Sequence, residues 1–330
     1  MKKLAVGGQA VIEGVLMKSP HYFSIAVRKP DNTISLAIER HDSISQTHRL
    51  LSLPFLRGIV AMAEMLFLGI KALNYSASVV MDNNSFNAGN KATETKGRPK
   101  KENKRENKKE NKRENQKRSK KFIEYALMFF SFVFAVVFAV LLFKAMPLAI
   151  VNYLRNKGVI SGTIAFNALD GAIRVSFFVL YIYLISLLKD VQRIFQYHGA
   201  EHKAIHCYES GKKLTVKNAM QFTTLHKRCG TSFLMFVLIV SIAVFSIVPI
   251  TLPFFAQLLY RLMLLLPIAS LSYEFLKLSY KLGKSRLFSA LSFPGLMLQK
   301  ITTREPEKEQ LETAIAALKA VLAKEKTLSN

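Results

Sequence analysis

The sequence predicts an α-helical polytopic membrane protein with about four transmembrane helices and a small N-terminal antiparallel β-sheet on the cytoplasmic side. Half of its 330 residues are hydrophobic and fall in long blocks, while 47 Lys and Arg against 22 Asp and Glu give a net charge of +25. Apolar blocks joined by basic loops are typical of multi-pass membrane proteins. The 24 Phe and 11 Tyr exclude a disordered chain, and two cysteines are too few for a disulfide-stapled secreted domain.

The first 40 residues favour strands over helices. Residues 4–17, 22–28 and 33–40 each have a strand-like composition, and Pro30-Asp31-Asn32 suits a turn between the last two. Three glycines and a glutamate interrupt the strand pattern of residues 6–17. They either let the backbone approach a ligand or mark bulges and a turn, and we favour the second interpretation.

The next apolar stretch, residues 53–73, is interrupted by Arg57 and Glu64. A crossing here would place the N-terminus outside, and the Lys and Arg of residues 1–52 argue against that. We therefore expect an interfacial or re-entrant helix. A fifth span with a buried ion pair is the alternative.

Residues 84–121 form a basic, low-complexity linker with 15 basic and 5 acidic residues. Such a segment can contact the anionic head groups of the lipid bilayer, which is the partner we expect. Residues 89–121 contain no aromatic side chain on which a base could stack. We therefore expect no nucleic-acid partner.

Four apolar stretches are long enough, or nearly so, to cross a bilayer, which takes about 20 residues. The first is expected to end near Lys144 and Pro147. The second has a short uncharged core, 175–188, so its helix must start near Ala168 and tolerate Arg174. The last two form a hairpin, because prolines interrupt a long uncharged run. The predicted spans are residues 125–143, 168–188, 233–250 and 254–276.

The loop charges predict the orientation of these spans. Residues 84–121 carry +10, and residues 189–230 carry 8 basic and 3 acidic side chains, so both are expected in the cytoplasm. Four spans place the C-terminal tail on the same side. The predicted regions are 1–52 (cytoplasmic, β-rich), 53–83 (interfacial or re-entrant helix), 84–121 (basic linker), 122–188 (first transmembrane pair), 189–232 (cytoplasmic His-rich loop), 233–278 (transmembrane hairpin) and 279–330 (cytoplasmic tail with an amphipathic helix after Pro306).

One segment is dense in side chains that bind metals. His198 and His202 are four residues apart, a spacing that lets two imidazoles on one helix bind the same zinc ion. Glu201 between them gives the order His-x-x-Glu-His of the inverted zincin motif. The glutamate of such a site is a general base toward water, so Glu201 is the candidate catalytic residue.

A third ligand has to come from nearby. Glu209 would lie about 10 Å beyond His202 along a helix, which is too far for the same ion. His226 or Cys229, returning from the next segment, is better placed, and a thiolate would favour zinc as the cofactor. The alternative is a polar surface helix whose histidines bond to backbone or lipid phosphate. The candidate metal ligands are therefore His198, His202, His206, His226 and Cys229.

Three motifs resemble the YqhQ family of bacterial membrane proteins. They are residues 7–17 (Gly-Gly-Gln-Ala-Val-Ile-Glu-Gly-Val-Leu-Met), 197–203 (Tyr-His-Gly-Ala-Glu-His-Lys) and 228–233 (Arg-Cys-Gly-Thr-Ser-Phe). The resemblance covers nearly the whole chain, with residues 100–121 as an insertion. It implies a multi-pass protein of the bacterial cytoplasmic membrane with no established reaction, in a family sometimes labelled as a predicted metal-dependent enzyme.

Three functions fit the sequence. The first is a metal-dependent hydrolase with its site at the cytoplasmic membrane surface. The second is a non-catalytic membrane scaffold that recruits partners through the sheet and the C-terminal helix. The third is a small ion transporter, which the scarcity of polar residues in the spans at 125–143 and 233–250 makes the weakest.

Overall fold

The computed structural model describes residues 4–44, 49–89, 126–127, 129–281 and 286–329. The chain is mostly helical and carries one four-stranded antiparallel sheet near its N-terminus, as the sequence predicts. The strands are β1 (Gly7–Val11), β2 (Gly14–Lys18), β3 (Tyr22–Arg28) and β4 (Ile34–Arg40), paired in chain order. The helices are α1 (Leu56–Gly89), α2 (Phe129–Asn156), α3 (Thr163–Ile185), α4 (Lys189–Ser210), α5 (Val216–Ala219), α6 (Gly230–Phe245), α7 (Phe254–Met263), α8 (Leu265–Lys281), α9 (Arg286–Thr302) and α10 (Lys308–Ser329).

Residues 4–17, expected as one strand, form a hairpin. β1 and β2 pair with Val11 opposite Gly14, so Ile12 and Glu13 alone make the turn. Glu13 has a φ of 53°, the left-handed conformation that tight hairpin turns use. A Cβ on Gly14 would lie 2.2 Å from the carbonyl oxygen of Ala26. Close approach of β3 therefore accounts for Gly14, while Ile12 and Glu13 make the turn.

Both faces of the sheet are covered, because successive residues of a strand point to opposite sides. Val15 and Met17 of β2 share a core with apolar residues of α4 and α10. Leu16, between them, shares a second core with Leu68 and Ala72 of α1. The sheet is thus a layer between α1 and the pair formed by α4 and α10, and it holds α4 from one side.

α1 is longer than the apolar stretch that predicted it, and it is not among the helices apolar enough to cross a membrane. Glu64 is buried, and its carboxylate accepts hydrogen bonds from Ser43 Oγ at 2.8 Å and from the Ile44 amide at 2.5 Å. Arg57 pairs with Glu274 of α8. The two charges that interrupt the sequence pattern therefore bind other elements.

Within the described residues, α2 and α3 are the two helices long and apolar enough to cross a membrane, and the bent pair α7–α8 makes a third if it is one span. The pair bends by 42°, and α6 has 16 residues, short of the length needed. The structure thus contains two to three candidate spans where the sequence predicted about four. Helix α6 starts three residues before and ends five residues before the bounds predicted for the third span.

α2 continues past Lys144 and Pro147, where the sequence predicted its end. A π-helical turn, Leu141–Ala145, precedes the proline, and Pro147 lies in the first turn of the α-helical segment that follows. A proline is tolerated there because its missing N–H has no partner to lose. The Nζ atom of Lys144 lies over the ring of Phe245, 5.1 Å from the ring centroid.

A buried ion cluster lies among the apolar helices, at positions within the predicted spans 168–188 and 254–276. Asp170 and Arg174 of α3 and Arg261 of α7 are each 1–2% exposed. The Asp170 carboxylate accepts from Arg261 Nη1 at 2.6 Å and also from Arg174. Arg174 Nη1 donates to Ser241 Oγ of α6 at 3.0 Å. The cluster therefore ties α3, α6 and α7 together.

The amphipathic helix expected after Pro306 is α10. Leu311, Ile315 and Leu318 of α10 are buried against α4 and the sheet. The preceding helix, α9, packs on α6, where a Cβ on Gly295 would lie 2.7 Å from Ser232 Oγ. Elements from both ends of the chain thus enclose α4.

Candidate metal centre

α4 carries the His-x-x-Glu-His motif and is buried along most of its C-terminal half. Contact with the segment after α9 is very close at Gly199, where a Cβ would lie 2.0 Å from the carbonyl oxygen of Arg304. Only glycine allows this approach. The helix ends at Gly211, which has a φ of 83°. The histidines therefore project from a rigid, enclosed helix.

His198, His202 and Cys229 form one group of ligand atoms. One ligand atom from each lies within 4.8 Å of the others. The two imidazole rings are 4.4 Å apart, and His198 Nε2 is 3.1 Å from Cys229 Sγ. Cys229 is the N-cap residue of α6, which places its sulfur opposite α4. The structure brings together the predicted pair and one of the two residues proposed as the better third ligand.

Backbone carbonyls fix the tautomers of both histidines. His198 Nδ1 lies 2.8 Å from the Thr302 carbonyl oxygen, and His202 Nδ1 bonds the Thr224 carbonyl oxygen. A carbonyl only accepts, so each Nδ1 must carry a proton, and in the neutral imidazole Nε2 then holds the lone pair. This is the outer support that metal-binding histidines have in known sites.

His206, Glu209 and His226 form a second group, also within 4.8 Å. Here the hydrogen bonds point the other way. The Arg228 amide donates to His226 Nδ1 at 3.3 Å, so Nε2 carries the proton and donates to Glu209 at 3.4 Å. Glu209 also pairs with the Arg228 guanidinium. A protonated nitrogen and an engaged carboxylate make this group a hydrogen-bonded support and a poorer set of ligands than the first.

Burial sets the charge of these side chains. It lowers the pKa of His202 far below the usual value and that of His226 to about 4. It also lowers the pKa of His206 and raises the pKa of the Cys229 thiol. The protein environment therefore favours the neutral form of His202, His206 and His226, the form in which an imidazole binds metals.

Glu201 is 5% exposed and lies outside both groups of ligand atoms. Its carboxylate accepts a hydrogen bond from the backbone amide of Gly8 and interacts electrostatically with His198 and Cys229. Burial raises the pKa of Glu201 to about 8, although His198 acts to lower it. The catalytic candidate is thus beside the first group of ligands.

Gly8 of β1 explains part of the glycine-rich N-terminal run. A Cβ at Gly8 would lie 2.6 Å from the Leu16 carbonyl oxygen and 2.9 Å from Glu201 Cγ. The glycine lets the strand backbone approach the candidate base, so the close-approach interpretation applies at Gly8.

Sequence reasoning missed the residues that position the site. Gln299 of α9 accepts from the His226 amide at 2.7 Å and donates to the His226 carbonyl at 2.9 Å. The side chain of Gln299 is completely buried. A polar residue on the buried face of α9 was the signal that could have identified it.

Comparisons with known proteins agree with the resemblance seen in the sequence. A family model described as "Protein of unknown function (DUF1385)" matches residues 53–324. The "Uncharacterized protein YqhQ" of Bacillus subtilis (strain 168) is 32% identical over 318 residues, which cover 96% of this chain and 92% of that protein. No solved structure matches the chain.

Proposed function

Since the chain belongs to the DUF1385 family of proteins of unknown function, we propose a function from its site: a membrane-bound, zinc-dependent hydrolase. One observation carries this proposal. One ligand atom each of His198, His202 and Cys229 lies within 4.8 Å of the others, and carbonyl bonds occupy Nδ1 of both histidines.

The donor set fits zinc. Two imidazole nitrogens and one sulfur suit this ion, and three protein ligands leave the fourth position of a tetrahedral site open, as in catalytic zinc enzymes. A divalent cation there would supply a Lewis acid for water and for a substrate oxygen. On binding this ion, the Cys229 thiol would lose its proton. Without the ion, burial opposes that loss, because it raises the pKa of the thiol.

Glu201 would handle the proton of the reaction. Its carboxylate takes a proton from water as the water oxygen bonds to the electrophilic atom of the substrate. The same proton then passes to the leaving group as the bond to that group breaks. The Gly8 amide holds the carboxylate in place for both steps.

Exposed apolar surface supports a location in a membrane, and the resemblance suggests the bacterial cytoplasmic membrane. Only 17% of the most apolar 18-residue stretch of α2, and of that of α3, is buried. Phe130, Phe132 and Phe134 of α2 are about two-thirds exposed. Soluble monomers rarely expose such continuous apolar surface. We propose that α2, α3, α6 and the α7–α8 pair cross the bilayer, as the sequence predicted for four spans.

α1 fits an interfacial position better than a fifth span. One face, with Leu68 and Ala72, is buried on the sheet. Another presents Leu66, Phe67 and Ile70, which are 51–67% exposed. A helix with a protein-packed face and an exposed apolar face lies flat on a membrane without crossing it. Contacts of the basic linker with anionic lipid remain a prediction, because residues 90–121 lie outside the described part of the chain.

Elemental analysis of purified, metal-replete protein tests the proposal. We expect about one zinc per chain, held by a single three-ligand site. His202→Ala should lose it, because two ligands hold zinc poorly. Glu201→Gln should keep the metal and lose turnover.

His206→Ala is the matched control. It removes an imidazole from the same helix but belongs to the second group, so it should retain the metal. If the parent binds no zinc, the hydrolase proposal fails and a non-catalytic scaffold takes its place. If His206→Ala loses the metal and His202→Ala keeps it, the ligand assignment is wrong.

A further inference from the structure

A cavity of about 220 Å³ is lined in part by Arg228, the residue that precedes the candidate ligand Cys229. Its lining is formed by Lys227, Arg228, Tyr273, Leu276 and Lys277. The two parts of this lining come from the turn before α6 and from the C-terminal half of α8. Three cationic residues and two with large apolar parts thus face one small space.

The surroundings of the cavity are positively charged overall. Arg228 pairs with Glu209, and Arg57 Nε donates a hydrogen bond to Glu274 Oε1 at 2.7 Å. Among the described residues, the carboxylates of Glu209 and Glu274 next to the cavity are therefore already engaged. Four cations against two anions leave +2 among these six groups, which are Arg57, Lys227, Arg228, Lys277, Glu209 and Glu274.

The cavity is next to the metal ligands in the chain. Arg228 directly precedes Cys229, and neighbouring Cα atoms are about 3.8 Å apart. Glu209, which pairs with Arg228, also accepts from His226. A group bound in the cavity would therefore lie beside the proposed reactive site.

The same position is at the proposed membrane boundary. α6 begins at Gly230, two residues after Arg228, and Leu276 and Lys277 lie in the last third of α8. Leu234 and Phe275, on the same two helices, are 41% and 38% exposed. Cations at this level face lipid head groups, and the apolar residues face the chains.

We propose that this cavity binds the phosphate of an anionic membrane lipid. A lipid bound there would make anionic phospholipids the substrate class of the metal centre, a role that rests on the proposed function. The cavity has room for a phosphate and part of its ester substituent, since one water needs only about 10–15 Å³ of such space. Two acyl chains do not fit, so they extend along the exposed apolar residues.

Binding measurements on the full-length protein in neutral detergent test this inference. The probes are short-chain phosphatidylglycerol, inorganic phosphate and short-chain diacylglycerol. We expect phosphatidylglycerol to bind at least about tenfold more tightly than either fragment, because only it offers both charge and chains. The double variant Lys227→Ala/Lys277→Ala should weaken its binding by about tenfold or more, given the usual contribution of each cation near a lipid surface.

The control Lys300→Ala/Lys319→Ala removes the same charge from exposed sites elsewhere and should leave binding unchanged. Equal binding of all three probes, or equal effects of both double variants, would overturn the inference. Phosphate binding as tightly as the lipid would replace the lipid with a soluble anion and so overturn it too.

His202→Ala separates this inference from the proposed function. It should lose metal and still bind phosphatidylglycerol, because the cavity contains no metal ligand. A parent without zinc that binds the lipid through Lys227 and Lys277 would refute the hydrolase and support the lipid site. A zinc-loaded parent that does not discriminate among the probes would do the reverse.

Discussion

Gly8 and Gly7 are adjacent in β1 but have different surroundings. A Cβ at Gly8 would meet Leu16 and Glu201 within 3 Å, whereas a Cβ at Gly7 would meet nothing within 4 Å. Gly8→Ala should therefore lower stability by about 1–3 kcal/mol, the usual cost of overpacking, and should displace Glu201. Gly7→Ala should be close to neutral. Thermal unfolding of both variants in detergent checks the difference, and equal effects would contradict the close packing on Glu201.

The site was partly predictable because side-chain spacing is visible in a sequence. Four-residue spacing identified His198 and His202, and the concentration of ligand types identified Cys229. The partners at Thr224 and Thr302 are backbone carbonyls, which every residue has. The sequence therefore could not show which histidines have a free Nε2, nor that His206 and His226 fall into a separate group.

The buried Asp170 carboxylate links α3 to α7 through Arg261, and Arg174 beside it reaches Ser241 of α6. Asp170→Asn would leave Arg174 and Arg261 buried and without their counter-ion. Breaking a buried pair in this way costs roughly 3–5 kcal/mol. We expect a large fall in unfolding temperature, measured on protein in detergent.

Asp42→Asn is the matched control for that variant. Asp42 pairs with Arg40 at 2.9 Å, but both side chains are at least 37% exposed. Water replaces the lost partner, so stability should change little. A comparable loss in both variants would contradict the assignment of Asp170 as the link between the three helices.

Predictions for whole elements succeeded where the local sequence determines the element. They failed where contacts with other parts of the chain determine where the element ends. The segments at 22–28 and 33–40 have a strand-like composition with turn residues between them, and they form strands within one residue of the expected bounds. The end of α2 was placed at Lys144 and Pro147 from charge and proline alone. A π-helical turn and the ring of Phe245 accommodate both residues, and neither is readable from the sequence.

On the scale of the whole molecule, the contacts of the sheet constrain the topology. β1 touches Glu201 of α4, and β2 and β3 pack on α10. The N-terminal sheet, the His-rich helix and the C-terminal helix must therefore lie on one side of any membrane. This agrees with the orientation predicted from loop charges and requires an even number of crossings between the sheet and α4.

Single-cysteine labelling of intact cells tests that topology. Asn156→Cys, at the end of α2, should react with an impermeant maleimide from outside, because α2 starts from the cytoplasmic side. Lys29→Cys, Lys213→Cys and Lys326→Cys should react only after permeabilisation, since the sheet, the end of α4 and α10 share one side. The native Cys207 and Cys229 are both buried, so the parent protein should give a low background.

External labelling at Lys29 together with internal labelling at Lys213 would be incompatible with the contact between Gly8 and Glu201. External labelling at all three lysine positions would keep that contact and reverse the orientation, placing the metal centre outside.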